Sequence, residues 1–361
     1  VRRRFLADFD WWLLLAALAL VGIGLVEIYS STIHTRYAGL HLRQMYWVLL
    51  GLALMWIAIF VDYHIIIEHV PLLYLVGVLM LTLVLFLGQS KLGGRRWLGV
   101  GEYGIQPAEI FKLILILTLA RYFSERRSQT VNWQDLFQLS ILAGLPFVLI
   151  LAQPDLGTAL SFIPVLCMGV WLAGIRWKML LTLALAIALL LPMGWFSLKP
   201  YQRARLMTFV NAGADPLGRG YQIAQSKIAV GSGGFAGKGF AQGSQNRLGF
   251  VPYRHTDFIF SVVAEEQGFL GVVVALMLFA FVIFRSIYHA RTARDRYGVF
   301  VVMGVVALFA FHVIVNVGMI IGFMPVTGIP LPLVSSGGSS ILSTFIALGL
   351  VLNVRLRRYA N

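Results

Sequence analysis

The residues best suited to chemistry fall in three short stretches. The first is Arg254-His255-Thr256-Asp257, running on through Phe258-Ile259-Phe260-Ser261 to Glu265-Glu266. Asp257 stands where a helix is expected to begin, a position where Asp caps the free backbone N–H groups. At the mouth of a cavity and among arginines, the same carboxylate can serve as a general base, and the two roles are compatible. Glu265 and Glu266 lie about two turns deeper, inside an apolar run. Carboxylates there are costly and face the bundle interior, so one of them is expected to pair with a basic residue from another helix.

The second stretch is Gly94-Arg95-Arg96-Trp97-Leu98, followed by Ile105-Gln106-Pro107-Ala108-Glu109-Ile110-Phe111-Lys112. Pro107 suits the first turn of a helix. Glu109 then falls at the third helical position, where the macrodipole favours a carboxylate. Lys112, three residues on and on the same face, can form an ion pair with it. Ionisable groups at that depth mark functional positions. The third stretch is Gln153-Pro154-Asp155-Leu156-Gly157-Thr158, a short turn between two apolar runs. Asp155 can cap the second run. It can also join Asp257 and Glu109 in a carboxylate cluster holding a divalent cation, magnesium or manganese, since such ions prefer oxygen ligands.

Two further stretches carry less chemistry. The glycine-rich segment from Val230 to Gly239 fails the phosphate-loop spacing, because Ser232 stands in place of the first Gly and Gly239 in place of the Ser/Thr. No nucleotide or organic cofactor is expected. The prolines Pro325, Pro330 and Pro332, followed by Ser335-Ser336-Gly337-Gly338-Ser339-Ser340, predict a broken, re-entrant segment of the kind tolerated where it lines a cavity. His312 and Asn316 share a helix face and suit an interhelical hydrogen bond.

The elements that must position these residues are transmembrane. Of the 361 residues 59% are hydrophobic and 12% charged, with mean hydropathy +0.83, against about 25% charged in soluble domains. Each span needs roughly 20 mostly apolar residues, and in lipid such runs must be helical. The fold class predicted is an all-α polytopic membrane protein with ten spans: 11–31, 45–62, 71–88, 107–123, 135–152, 156–174, 178–198, 258–285, 298–323 and 340–354. A large polar loop covers about 199–257. The first run, preceded by Arg2, Arg3 and Arg4, reads as a span rather than a signal peptide. Cys167 reads as a small core residue without a disulfide partner.

With the N-terminus inside, fifteen Lys and Arg residues fall in cytoplasmic segments and five, Arg36, Arg43, Lys91, Arg95 and Arg96, in short outer loops. The positive-inside rule then places both termini in the cytoplasm and the large loop outside. That loop is itself basic, with Lys199, Arg203, Arg205, Arg219, Lys227, Lys238, Arg247 and Arg254 against Asp215 and Asp257. The excess suits anionic headgroups or an anionic substrate such as a lipid pyrophosphate. No nucleic-acid partner is expected. The two halves show no internal repeat, which disfavours a transporter.

In their order along the chain, GGRRWL with IQPAEIFKL, QPDLGTAL, DPLGRGYQIAQSKIAVGSGGFAGKG, RHTDFIFSVVAEEQGFLG and GIPLPLVSSGGSS resemble the SEDS family (shape, elongation, division and sporulation) over nearly the whole chain. Gln225-Ser226-Lys227-Ile228 and the Arg254-to-Asp257 stretch look more like its elongation branch than its division branch. Ser336 departs from the Tyr that many relatives carry. The resemblance implies one SEDS transmembrane domain over 1–361, in the bacterial cytoplasmic membrane. It also implies a peptidoglycan glycosyltransferase that polymerises lipid II and releases undecaprenyl pyrophosphate. The family's essential outer acid falls on Asp257, which would deprotonate the acceptor sugar's hydroxyl. Arg96, Glu109, Lys112, Asp155, Lys227, Lys238, Arg254, His255 and Ser335 are the expected supporting residues. The implied partners are a class B penicillin-binding protein transpeptidase and other elongation-complex membrane proteins. A lipid II flippase and a non-catalytic scaffold for a transpeptidase are the alternatives.

Overall fold

The structure, a computed structural model, describes residues 8–33, 35, 37–91, 94–100, 103–126, 130–197, 202–203, 207–209 and 218–358. Arg2, Arg3, Arg4, Arg36, Arg127, Lys199, Arg205 and Asp215 lie outside the described residues. Helix α1 (Trp11–Thr32) starts at Asp10, whose side chain accepts from the Leu13 N–H. It is followed by α2 (Leu40–Phe60), the short α3 (Tyr63–Glu68) and α4 (Val70–Leu87). Next come three short strands, β1 (Gln89–Lys91), β2 (Gly94–Val100) and β3 (Tyr103–Ile105), forming an antiparallel meander in the order β1-β2-β3. The chain is therefore not purely helical. The Gly94-Arg95-Arg96-Trp97 stretch is a strand, which throws alternate side chains to opposite faces.

Helix α5 (Pro107–Glu125) begins directly after β3, with Pro107 at its first position. Helices α6 (Trp133–Ala152), α7 (Leu156–Leu160), α8 (Phe162–Leu172) and α9 (Trp177–Ser197) follow. After the large loop, which contributes α10 (Arg219–Ser232) and α11 (Ser244–Arg247), come α12 (Ile259–Arg291), α13 (Arg296–Ile320) and α14 (Gly338–Leu356).

Seven of these helices, α1, α2, α4, α6, α12, α13 and α14, are long and apolar enough to cross a membrane. The run expected over 156–174 is divided at Ser161 into α7 and α8. The span expected to close at 285 continues as α12 to Arg291.

Burial separates centre from periphery. The apolar window of α14 is 83% buried and that of α4 only 22%. Helix α14 packs most closely on α2, and α13 packs on α5, α8 and α12. Small residues permit the close approach: a Cβ on Gly51 would lie 2.6 Å from the Phe345 ring, and one on Gly349 would lie 2.8 Å from the Met55 carbonyl oxygen. Helix α9 joins the core through Met179, which is buried, and Leu183. An apolar groove of about 680 Å³ lies open between α8 and α13. Cys167 is exposed on the wall of that groove, so it is not the core residue expected.

Candidate active site

The three carboxylates singled out from the sequence line one cavity. It measures about 360 Å³, and Arg96, Glu109, Asp155, Tyr253 and Asp257 are in its wall. Asp257 is partly buried, and its carboxylate lies over Gly328, where an added Cβ would be 3.5 Å from Oδ2. The residue is not the helix cap expected of it. Helix α12 starts one residue later, with Phe258 at the cap position and no side-chain capping bond. A different set of contacts fixes Asp257. The His255 carbonyl accepts from the Ser336 N–H at 3.0 Å, the Thr256 carbonyl from Ser335 Oγ at 2.7 Å, and the Asp257 carbonyl from Asn316 Nδ2 at 2.9 Å. Three successive peptide carbonyls are thus held by α13 and by the proline-rich segment before α14. Asn316 is fully buried and also donates to the Ile329 carbonyl at 2.8 Å.

Asp155 is the helix cap expected of it, and it lines the same cavity as Glu109 and Asp257. Its Oδ1 caps α7 by accepting from the Thr158 N–H, and its Oδ2 accepts from Thr158 Oγ1 at 2.9 Å and from Gln106 Nε2. Arg96 reaches the same turn. Its guanidinium lies 3.8 Å from Asp155 Oδ1 and donates to the carbonyls of Gln153 and Pro154. Glu109 and Lys112 form the expected ion pair at 2.8 Å, and both are buried. Ser343 Oγ donates to the other Glu109 oxygen at 3.1 Å. Lys112 Nζ lies 3.3 Å from His312 Nε2, and His312 Nδ1 lies 3.2 Å from the Pro330 carbonyl. Asp155 and Glu109 are therefore both held by protein donors. Among the described residues no group of three or more His, Cys, Asp and Glu side chains is placed to hold a metal ion.

Other expected supporting residues stand elsewhere. Arg254 turns away from the cavity and donates to the Ser31 carbonyl of α1 at 3.0 Å. The His255 ring packs against Tyr37 with centroids 5.1 Å apart. Burial, and then the Arg254 charge beside it, hold the His255 imidazole below its ordinary value. Its carbonyl is the group tied to the Ser335–Ser336 turn. Lys227, on the exposed side of α10, lies over Gly322 at the end of α13. Lys238 pairs with the buried Glu265 at 2.7 Å. A basic residue does pair with that glutamate, as the sequence suggested, but it comes from the large loop rather than from another spanning helix.

That pairing belongs to a larger clamp. Glu265 also accepts from the Gln245 and Asn246 N–H groups at 2.9 and 3.0 Å. Glu266 accepts from Ser30 Oγ of α1, from Asn246 Nδ2 at 2.7 Å and from the Ala241 N–H at 2.9 Å. Helix α12 is broken at Gly268 (φ 66°, ψ −161°). The glycine-rich segment closes the break. The Lys238 and Gly239 N–H groups donate to the Glu265 and Glu266 carbonyls, while Phe269 and Leu270 donate to the carbonyls of Gly234 and Phe235. The glycines rejected as a phosphate loop allow this contact, since a Cβ on Gly237 would lie 2.1 Å from the Glu266 carbonyl oxygen.

Thr327 lines both the Asp257 cavity and the apolar groove between α8 and α13, so polar and apolar volumes meet at one residue. The arrangement can place a sugar or phosphate beside Asp257 and an acyl chain in the groove. Sequence reasoning missed Asn316 as a site residue. The signal was its polarity within an apolar span, which was read as a bond between helices.

The chain is similar to known proteins over nearly its whole length. The family model described as "Cell cycle protein", for FtsW, RodA and SpoVE, matches residues 10–360. The peptidoglycan glycosyltransferase RodA of Treponema pallidum (strain Nichols) is 32% identical, over 99% of this chain and 100% of that protein. The peptidoglycan glycosyltransferase MrdB of Escherichia coli (strain K12) is 35% identical, over 97% and 94%. Among solved structures, a chain of a peptidoglycan synthase complex that coordinates polymerization and crosslinking superposes with TM-score 0.86 at 34% identity, covering 98% of this chain and 99% of that one. The rod shape determining protein RodA of Thermus thermophilus gives 0.73 at 31% identity, covering 98% of each.

Proposed function

The chain belongs to the FtsW, RodA and SpoVE family of cell cycle proteins and is a multi-pass membrane peptidoglycan glycosyltransferase, and we propose that it polymerises lipid II, with Asp257 as the base. The observation that carries this reading is the position of Asp257 in a cavity that meets an apolar groove at Thr327. The sugars and pyrophosphate occupy the cavity and the undecaprenyl tail the groove.

Asp257 takes the proton of the acceptor's GlcNAc hydroxyl. The oxygen attacks the anomeric carbon of the donor's MurNAc, a carbon–oxygen bond forms with inversion, and the bond to the pyrophosphate breaks. Arg96 and the Lys112 ammonium supply positive potential where negative charge develops, which is the electrostatic part of catalysis. A divalent cation, magnesium or manganese, would come as a companion of the substrate: it would draw most of its oxygens from the phosphates and one from Asp257, as magnesium commonly does, and would neutralise the leaving group.

The same reading has ten spans, both termini in the cytoplasm, and the large loop with Asp257 on the outer side, where lipid II is presented. It pairs the chain with a class B penicillin-binding protein that crosslinks the product during cell elongation.

The test is polymerisation of purified lipid II by the purified chain, alone and with a transpeptidase partner, beside Asp257→Asn. A general base contributes about 10²–10⁴-fold, so the variant is expected to be nearly inactive. Its thermal midpoint should change little, because Asn keeps the shape of the side chain and Asp257 is not the cap of α12. Product at the unaltered rate would exclude Asp257 as the base. A flippase or scaffold would form no glycan under any of these conditions.

A further inference from the structure

Beside the Asp257 cavity lies a second one, of about 170 Å³. One helix face supplies its outer wall: Leu40, Arg43, Gln44 and Trp47 follow the i, i+3, i+4, i+7 spacing at the start of α2. Trp97 of β2 lies opposite. Glycines make the room. A Cβ on Gly338 would lie 2.5 Å from the Trp47 indole, and one on Gly104 would lie 3.3 Å from Trp97 Cβ.

The two cavities share Trp97, Ser336 and Gly337, so the Ser336–Gly337 turn is a partition between them. The partition is tied from both sides. From the small cavity, Gln44 donates to the Ser335 carbonyl and accepts from the Gly337 N–H, each at 3.2 Å. From the Asp257 side, the His255 carbonyl accepts from the Ser336 N–H. Whatever occupies the small cavity therefore bears on the turn that fixes the catalytic segment.

We propose that the small cavity is a second carbohydrate subsite, which takes the sugar ring adjoining the one that reacts over Asp257. Two indoles offer flat apolar surface to the C–H faces of a pyranose. Arg43 and Ser336 add polar groups at the rim, the mixture of aromatic walls and few polar groups typical of small-molecule sites. Among the described residues that line it none is a carboxylate that would repel an acidic sugar substituent. A polymerase must hold sugars on both sides of the bond it forms, and two cavities divided by one thin turn meet that requirement.

The inference rests on the glycosyltransferase reading, and the experiment separates the two. The full chain is titrated with a lipid-free tetrasaccharide of alternating GlcNAc and MurNAc, followed by tryptophan fluorescence, and its lipid II kinetics are measured with the transpeptidase present. Leu40→Trp fills the cavity, and Arg43→Gln removes its charge with little change of shape. Each is expected to weaken tetrasaccharide binding and raise KM for lipid II roughly tenfold, with kcat nearly unchanged, the pattern for loss of binding shared by ground and transition states. Asp257→Asn should still bind the tetrasaccharide. A folded Leu40→Trp or Arg43→Gln chain with unaltered KM and binding overturns the subsite, as does a wild-type chain that polymerises lipid II yet binds no tetrasaccharide. A wild-type chain that makes no glycan overturns the parent reading instead.

Discussion

Glu109 and Lys112 are 4% and 2% exposed and 2.8 Å apart. Removing one partner of such a pair strands the other charge in a medium that cannot solvate it, at a cost of about 3–5 kcal/mol. Lys112→Met alone is therefore expected to lower the thermal midpoint sharply, and Glu109→Gln with Lys112→Met together to restore much of it. The double variant then reports chemistry rather than folding. We expect it to be folded and poorly active in lipid II polymerisation. Full activity in the folded double variant would reduce the pair to a structural role. The pair itself was legible, because three-residue spacing on a helix fixes which side chains meet. The position of Asp257 was legible only in part. Its suitability as a base followed from its type and setting, but its restraint by Asn316, Ser335 and Ser336 depends on contacts 59 to 81 residues away in sequence.

The broken helix α12 is decided at Gly268. Its φ and ψ fall in a region open only to glycine, and a Cβ there would lie 2.2 Å from the Gly237 nitrogen. Gly268→Ala must displace the 233–239 segment, with strain of about 1–3 kcal/mol from the backbone angles alone. The expected result is a lower thermal midpoint and new proteolytic cleavage within 233–247. Gly231→Ala is the control, since nothing lies within 4 Å of its added Cβ. In α10 that change should be neutral or stabilising by about 0.5–1 kcal/mol. Equal behaviour of the two variants would show that the loop does not depend on the break. The carboxylates Glu265 and Glu266 were visible as buried charges from their place in an apolar run. Their loop partners were not, because no periodicity relates residues 238–246 to a helix that begins at 259.

At the scale of the whole molecule, the distribution of Lys and Arg predicts a large loop on the outer side. Gln242 is exposed on that loop and makes a suitable reporter. In a Cys167→Ser background, Gln242→Cys should react with a membrane-impermeant thiol reagent in intact cells. Protection there, with labelling only after lysis, would reverse the topology and put Asp257 on the cytoplasmic side. The groove between α8 and α13 belongs to this scale too: the sequence supplies apolar runs at 156–174 and 298–323, and nothing in their composition says that an open volume of about 680 Å³ lies between them.

What the sequence by itself determined is local or summed over many residues. Apolar run length marks the spanning helices, charge counting gives an expected orientation, and residue type with short spacing picks out Asp257, Glu109, Lys112 and Asp155. Each depends on properties that survive without knowledge of neighbours. Only the tertiary structure decided which of the basic residues reach the cavity. Arg96 does, because its strand lies against the turn that carries Asp155. Arg254 does not, although it is three residues from Asp257, because its guanidinium is drawn to the Ser31 carbonyl of α1. A charge is attracted to whatever unsatisfied group is nearest in space, and nearness in space is set by packing of the bundle rather than by position along the chain.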